Sequence, residues 1–443
     1  MARSSMPVAR PRERAVLVAL DRGDGGATVE QNLEELAGLC TTAGLEVVAQ
    51  ISQARRVPDV ATFVGRGKVD EIRGEIEERE AQVVVFDDPL SPAQTRNLER
   101  RLGMGPGNTP FVSVLDRAQL ILDIFAQRAR TIEGKLQVEL AQLEYLLPRL
   151  TGHWTHLSRQ RGGAVGTRGP GETQLEVDRR RIREKIAKLR LRLAEVRRTR
   201  TLHRHDRAAV PFPTVAFVGY TNAGKSSLMN ALTGAGVPAD SRLFATLDPT
   251  LRRLGLEKSG AVLLSDTVGF IHKLPHSLID AFRSTLEEVT TADLLLHVTD
   301  FSDPEQEHHR AVVQEVLEEI GAAQSERIEV WNKSDRLADD IRAGLRLVAA
   351  REGAVLVSAH TREGLDQLLA AIDERLAPWR REECFAIPRS QAGLIGQLER
   401  GGTILSIEET DDGYSVTARL DPSLAGRIRK RLAEATAADA PPC

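Results

Sequence analysis

The residues in this sequence that could do chemistry lie in short segments, each just after an apolar run. Gly219-Tyr220-Thr221-Asn222-Ala223-Gly224-Lys225-Ser226 follows Thr214–Val218 and precedes the helical stretch Ser227–Leu232. This is the GxxxxGK[ST] spacing. Its glycines let backbone N–H groups approach phosphate oxygens, and the helix N-terminus behind them adds a positive dipole end. Lys225 is expected to bridge β- and γ-phosphates, and the Ser226 hydroxyl to ligate Mg2+. Ala261–Ser265 runs into Asp266-Thr267-Val268-Gly269. In this DxxG element Asp266 would hold the Mg2+ shell, and the Gly269 N–H would meet the γ-phosphate. Ile328–Trp331 leads into Asn332-Lys333-Ser334-Asp335. A carboxylate at Asp335 can accept from both N1–H and N2–H of guanine, which adenine cannot offer, so this NKxD element selects GTP. Ala354–Val357 ends in Ser358-Ala359-His360, where the Ala359 N–H would bind guanine O6.

A switch is expected between the phosphate loop and DxxG, in Arg242-Leu243-Phe244-Ala245-Thr246-Leu247-Asp248-Pro249-Thr250. Phe244, Ala245, Thr246, Leu247 and Asp248 are assigned to the nucleotide site. A threonine here should reach Mg2+ and the γ-phosphate, and spacing leaves Thr246 and Thr250 both open. Small GTPases of the Ras type place a glutamine after the DxxG glycine to orient water, whereas this chain has Phe270. Slow intrinsic hydrolysis, accelerated by an external group, follows. Asn222 can be read as a loop-capping side chain or as a ligand that helps hold K+ beside the phosphates.

These segments need elements to position them. A chain of 443 residues is too long for one core and should hold two to four domains. Apolar content of 41% and charged content of 28% are those of a folded, soluble protein. Cys40, Cys384 and Cys443 lie far apart without CxxC spacing, which argues against a disulfide framework or a cysteine metal site. No apolar run reaches the ~20 residues that cross a bilayer. Met1 to Arg14 has no apolar core and does not read as a secretory signal. The cytoplasm and a monomer are the expectations.

The fold class is α/β and multidomain. Residues 15–115 alternate strand and helix: Ala15–Leu20, Glu30–Gly44, Leu45–Ile51, Val69–Arg79, Ala81–Phe86 and Ser91–Leu102. That order predicts a small domain with a parallel sheet. Residues 116–207 are read as a helical hairpin. One apolar series is Ile132, Leu136, Leu140, Leu143, Leu147, Leu150; the other is Leu175, Ile182, Ile186, Leu189, Leu193, Val196. Steps of three and four suit an antiparallel pair. Its tip loop, residues 151–171, is rich in glycine, carries Arg159, Arg161 and Arg168, and has no acid. The helix after it holds thirteen Lys/Arg against four Asp/Glu over Asp178–Arg207. A basic face on a stalk, ending in an arginine-bearing loop, fits contact with folded RNA. The GTP-binding domain is placed at 211–381. A C-terminal α+β unit is placed at 383–434, with strands Thr403–Glu408 and Tyr414–Leu420 and a helix over Leu424–Ala433.

Several longer stretches carry a resemblance. They include Phe63-Val64-Gly65-Arg66-Gly67-Lys68, Leu90-Ser91-Pro92-Ala93-Gln94-Thr95-Arg96, Glu133-Gly134-Lys135-Leu136-Gln137, Gly166-Thr167-Arg168-Gly169-Pro170-Gly171-Glu172 and the switch Phe244 to Thr250. With the G-domain motifs they resemble the HflX family of translation-associated GTPases from about Ala15 to Arg381. The resemblance implies binding to the large ribosomal subunit and its rRNA, dissociation of stalled or hibernating ribosomes, and GTP hydrolysis stimulated by the ribosome. By position in the family's motif, Thr246 becomes the Mg2+ ligand, and Lys225, Thr246 and Gly269 the catalytic group. ATP binding at the N-terminal domain is credited to similar proteins. The only echo here is Gly65-Arg66-Gly67-Lys68, which also reads as a plain glycine turn before a helix. The alternative to ribosome splitting is a GTPase of rRNA or tRNA maturation acting on free RNA.

Overall fold

The protein is described from a computed structural model, covering residues 12–23, 28–103, 112–150, 174–207, 212–234, 243–248, 250–273, 283–377, 381–420 and 422–438. It divides into two compact units. Unit 1 comprises Met1–Ala194, Asp240–Asp248 and His272–Arg283; unit 2 comprises Glu195–Ala239, Pro249–Ile271 and Ser284–Cys443.

Unit 1 opens with β1 (Arg14–Asp21), α1 (Val29–Ala43), β2 (Glu46–Ala54), α2 (Arg66–Arg79), β3 (Val83–Phe86), α3 (Pro92–Leu102) and β4 (Ser113–Asp116). The strands pair in parallel in the order β2-β1-β3-β4, as the alternation of elements requires. The run Ala15–Leu20 is buried throughout, as a central strand covered on both faces must be. Helix starts are written locally. Thr28 and Ser91 each form a capping box with the glutamine three residues on, satisfying otherwise orphan N–H groups. Gly44 ends α1 with φ 91°, where a side chain would be strained.

The next helix, α4 (Arg117–Arg128), has no counterpart among the sequence-derived elements. It buries Leu120, Ile121, Leu122, Ile124 and Phe125 and packs against α1 and β4. Its first residue, Arg117, is 1% exposed and pairs with Glu35 and, at 2.6 Å, with Asp87. Helix α5 (Ile132–Leu146) follows. The structure shifts its expected seam. The deepest positions are Gly134, Gln137, Val138 and Ala141, while Ile132 is 74% exposed. The physical reason is that α4 packs on α5, so a two-helix pattern does not describe its burial.

Helix α6 (Gln174–Arg207) is 34 residues long, about 50 Å at 1.5 Å per residue. Its Ile186, Leu189 and Leu193 are buried, as the second series predicts. Arg179 donates to the Leu150 carbonyl at 2.9 Å, and Arg190 pairs with Glu144 at 2.8 Å. The start of α6 thus meets the end of the preceding helical stretch, as in an antiparallel pair. The tip loop 151–171, with Arg159, Arg161 and Arg168, lies outside the described residues.

Unit 2 carries β5 (Thr214–Val218), α7 (Lys225–Thr233), β6 (Thr250–Leu256), β7 (Gly260–Asp266), α8 (Arg283–Thr290), β8 (Leu294–Asp300), α9 (Gln306–Glu319), β9 (Arg327–Asn332), α10 (Asp339–Glu352), β10 (Val355–Leu356) and α11 (Leu365–Leu376). The sheet order is β10-β9-β8-β5-β7-β6, parallel except for the edge strand β6. From β5 the chain builds the sheet first on one side and then on the other. The end of β5 is therefore the switch point where open α/β sheets bind ligands. A second sheet, β11 (Arg381–Pro388), β12 (Thr403–Thr410) and β13 (Gly413–Leu420), is antiparallel in the order β11-β13-β12. Helices α12 (Gly393–Gly401) and α13 (Pro422–Ala438) contribute Leu394, Leu398, Leu424 and Ile428 to its core. Sequence reading found two of these strands and α13, but not β11 as a strand or α12.

Candidate nucleotide site

The phosphate loop leaves β5 in a conformation open to few residues. Gly219 has φ 153°, and a Cβ there would stand 2.2 Å from the Val298 carbonyl oxygen. Gly224 has φ 95°, and its Cβ would fall 2.3 Å from Asn332 Nδ2. Both contacts are impossible, so both glycines are required by space as well as by torsion. Asn222 is left-handed, with φ 60°, a conformation asparagine tolerates better than most residues. Lys225 opens α7, is buried, and donates to the carbonyls of Gly219 at 2.9 Å and Tyr220 at 2.7 Å. Burial pushes its amine down to about 8, with the Asp266 carboxylate opposing the shift.

DxxG closes against this loop. The Phe270 N–H donates to the Gly219 carbonyl at 3.1 Å, and the Phe270 carbonyl accepts from the Thr221 N–H at 2.8 Å. A Cβ on Gly269 would stand 2.9 Å from Thr221 Cα and 3.0 Å from Lys225 Nζ. Here glycine is dictated by closeness. Phe270 is 1% exposed, so its side chain orients no water. Its backbone is a two-bond clamp, a role that residue type alone could not reveal. Thr267 Oγ1 donates to the Phe217 carbonyl at 2.5 Å, and Val268 is buried.

Asp266 ends β7 fully buried, and Ser226 Oγ donates to its Oδ2 at 2.6 Å. A hydroxyl and a carboxylate brought together are hard oxygen donors of the kind Mg2+ takes, so the residues fit that ion. Thr250 opens β6 directly opposite Asp266 in the ladder.

The segments Asn332 to Asp335 and Ser358 to His360 meet through Asn332. Its Nδ2 donates to the Ala223 carbonyl at 2.9 Å, and its Oδ1 accepts from the Ala359 N–H at 3.1 Å. One side chain therefore ties the phosphate loop to the Ser358-Ala359-His360 segment. Ser358 Oγ donates to Asp335 Oδ1 at 2.6 Å, and the Ser334 N–H to the Val357 carbonyl at 3.2 Å. Lys333, with φ 63°, pairs with Asp300 at 2.6 Å. His360 is exposed. One contact lay beyond any motif: the ring of Tyr220 stacks on His309 of α9, with centroids 3.9 Å apart.

The structure thus brings together Gly219 to Ser226, Asp266 to Gly269, Asn332 to Asp335 and Ser358 to His360 in unit 2. It places Phe244 to Asp248 in unit 1. There Phe244 is buried and meets Phe125 edge-on at 4.7 Å, an aromatic pair contributing about 1 kcal/mol beyond its buried area. Leu247 is buried, and Ala245 and Thr246 are half-buried. Both oxygens of Asp248 accept hydrogen bonds from Arg130 and Thr131. Gly65 precedes α2 and its N–H donates to Gln53 Oε1 at 2.9 Å, while Lys68 pairs with Glu71 at 2.7 Å.

A doubly wound sheet with its phosphate loop at the switch point, joined through Asn332 to the Ser358-Ala359-His360 segment, makes this a P-loop GTPase, an enzyme that hydrolyses GTP. Family models match along the chain: "GTP-binding GTPase N-terminal" over 30–126, "GTP-binding GTPase Middle Region" over 128–207 and "50S ribosome-binding GTPase" over 214–333. GTPase HflX of Caldanaerobacter subterraneus is 44% identical over 95% of this chain and 94% of its own length. GTPase HflX of Magnetococcus marinus is 46% identical over 94% of each. That of Escherichia coli is 47% identical over 82% of this chain and 83% of its own. The chain belongs to the HflX GTPase family. No helix among the described residues is long and apolar enough to cross a membrane.

Proposed function

We propose that this GTPase binds the large ribosomal subunit and couples its GTP cycle to the dissociation of stalled or hibernating ribosomes in the cytoplasm. The observation that carries the reading is α6. Arg181, Arg183, Lys188 and Arg192 stand exposed along it, and the segment Asp178–Arg207 holds thirteen basic residues against four acidic ones. A stiff basic rod of this kind is suited to phosphate backbone. The tip arginines Arg159, Arg161 and Arg168 extend the same charge.

In the reaction, Lys225 neutralises charge on the β- and γ-phosphates, and the Gly269 N–H meets the γ-phosphate. Ser226 and Thr246 would hold Mg2+, with Asp266 in its shell; the ion supplies charge neutralisation at the phosphates. Asp335 reads guanine. Phe270 supplies no water-orienting group, so the rate depends on a group from outside. Asn222 is the candidate ligand for K+, and equal turnover in K+ and Na+ at matched ionic strength would remove it.

The deciding experiment is sedimentation of intact ribosomes with the full chain and GTP, a slowly hydrolysed analogue or GDP. The proposal expects subunits to separate with the triphosphate forms only, and GTP turnover to rise with large subunits. Tight, nucleotide-dependent binding to isolated RNA without effect on intact ribosomes would replace it with RNA maturation.

A further inference from the structure

The five residues Phe244 to Asp248 were assigned to the nucleotide, yet both carboxylate oxygens of Asp248 accept hydrogen bonds elsewhere. Its Oδ2 accepts from the Arg130 N–H at 2.7 Å and the Thr131 N–H at 2.9 Å, and its Oδ1 accepts from Thr131 Oγ1 at 2.5 Å. Thr131 is the N-cap of α5, and its hydroxyl also accepts from the Gly134 N–H at 2.9 Å. The carboxylate therefore extends the cap of α5, where a negative charge is favoured by the helix dipole and by charge-assisted hydrogen bonds. Four residues earlier, the Phe244 ring is 3% exposed against Phe125 of α4. Ala245, Thr246 and Leu247 lie between these two anchors.

We infer that Asp248 is a positioning residue. It fixes the switch segment to the first turn of α5, so that Thr246 sits on a span tied at both ends rather than on a free loop. This rests on Thr246 serving the GTP reaction, and goes beyond it by naming what orders it. A three-residue span pinned at both ends has few conformations to lose, so the switch enters the reaction preorganised.

The structure supplies a lever remote in sequence from every nucleotide motif. A Cβ on Gly134 would stand 2.5 Å from Asp248 Oδ1 and 3.0 Å from Thr131 Oγ1, so Gly134→Ala must displace the carboxylate against its cap, although alanine suits a helix better than glycine. In the full chain, Gly134→Ala and Asp248→Ala are each expected to lower kcat for GTP roughly ten- to a hundredfold, with GDP affinity unchanged. Asp248→Asn, which keeps one acceptor, should recover part of the rate. Thr131→Ala should fall in the same direction, and its effect with Asp248→Ala should be less than additive in log kcat, because both remove one cap. Full kcat in a folded Gly134→Ala protein overturns the inference, as does strict additivity of Asp248→Ala with Thr131→Ala. Thr246→Ala is the separate control. If it leaves kcat intact, the role of Thr246 fails, while the non-additivity still reports on the anchor.

Discussion

Lys225 shows what burial does to a charged amine. Burial holds its amine near 8 rather than 10.5. The fold therefore binds fewer protons than the unfolded chain between those values, and stability from this group rises with pH across that window. Phosphate oxygens favour the ammonium form and raise the value again. Binding of GDP at pH 8.5 should then take up roughly 0.5–0.8 of a proton. Calorimetry in buffers of different ionisation enthalpy measures this directly, and a binding heat independent of buffer would contradict it. Asp335 makes the second residue-scale prediction. Asp335→Asn puts an amide donor where guanine N1–H and N2–H need acceptors. Affinity for GTP should fall and that for XTP rise, read by competition against a fluorescent GDP; unchanged GTP affinity would place the base elsewhere.

Elements are held at the site by side chains that never touch it. The turn between β6 and β7 is fastened by Asp373 of α11. Its carboxylate accepts from the N–H groups of Lys258 at 2.8 Å and Ser259 at 2.7 Å, and its carbonyl accepts from Ser259 Oγ at 3.0 Å. Burial alone would raise this carboxyl, but the hydrogen bonds from Lys258 and Ser259 outweigh it and the net shift is downward from 3.8. A depressed acid contributes stability that is present above its unfolded value and lost as pH falls through it. Asp373→Ala should cost about 2 kcal/mol at pH 7. In urea titrations its gap from the parent protein should narrow as pH falls from 5 towards 3. A gap constant over that range would mean that the carboxylate charge does not matter.

Across the whole molecule, the local distribution of charge departs from the total balance. The net charge is −3, yet α6 is strongly basic. If that helix lies on rRNA, each phosphate contact removed should flatten the salt dependence of binding by about one in log–log slope. Arg181→Gln, Arg183→Gln, Lys188→Gln and Arg192→Gln together should therefore lower the slope for large subunits by about 2–4. Filter binding between 50 and 300 mM KCl, on the order of the range where such effects are read, is the measurement. An unchanged slope would leave α6 as a solvated face.

The sequence by itself determined the nucleotide and the enzyme class. Gly219 to Ser226, Asp266 to Gly269 and Asn332 to Asp335 are contiguous, and each is a strand end with its turn, so type and spacing nearly fix the local backbone. The helix start at Ser91 was legible for the same reason, since its Ser-Pro pair is adjacent in the chain. The tertiary structure decided what depends on residues far apart in the chain. Arg117 is buried because Glu35 and Asp87 come to meet it, and α5 is buried one position off its apolar series because α4 covers it. Phe270, read as an absent glutamine, proved to be a backbone clamp on Gly219 and Thr221. Asp248, read as a nucleotide contact, caps a helix 117 residues earlier in the chain. A hydrogen bond across that separation leaves no periodicity and no spacing to read; only the folded chain brings its two ends together.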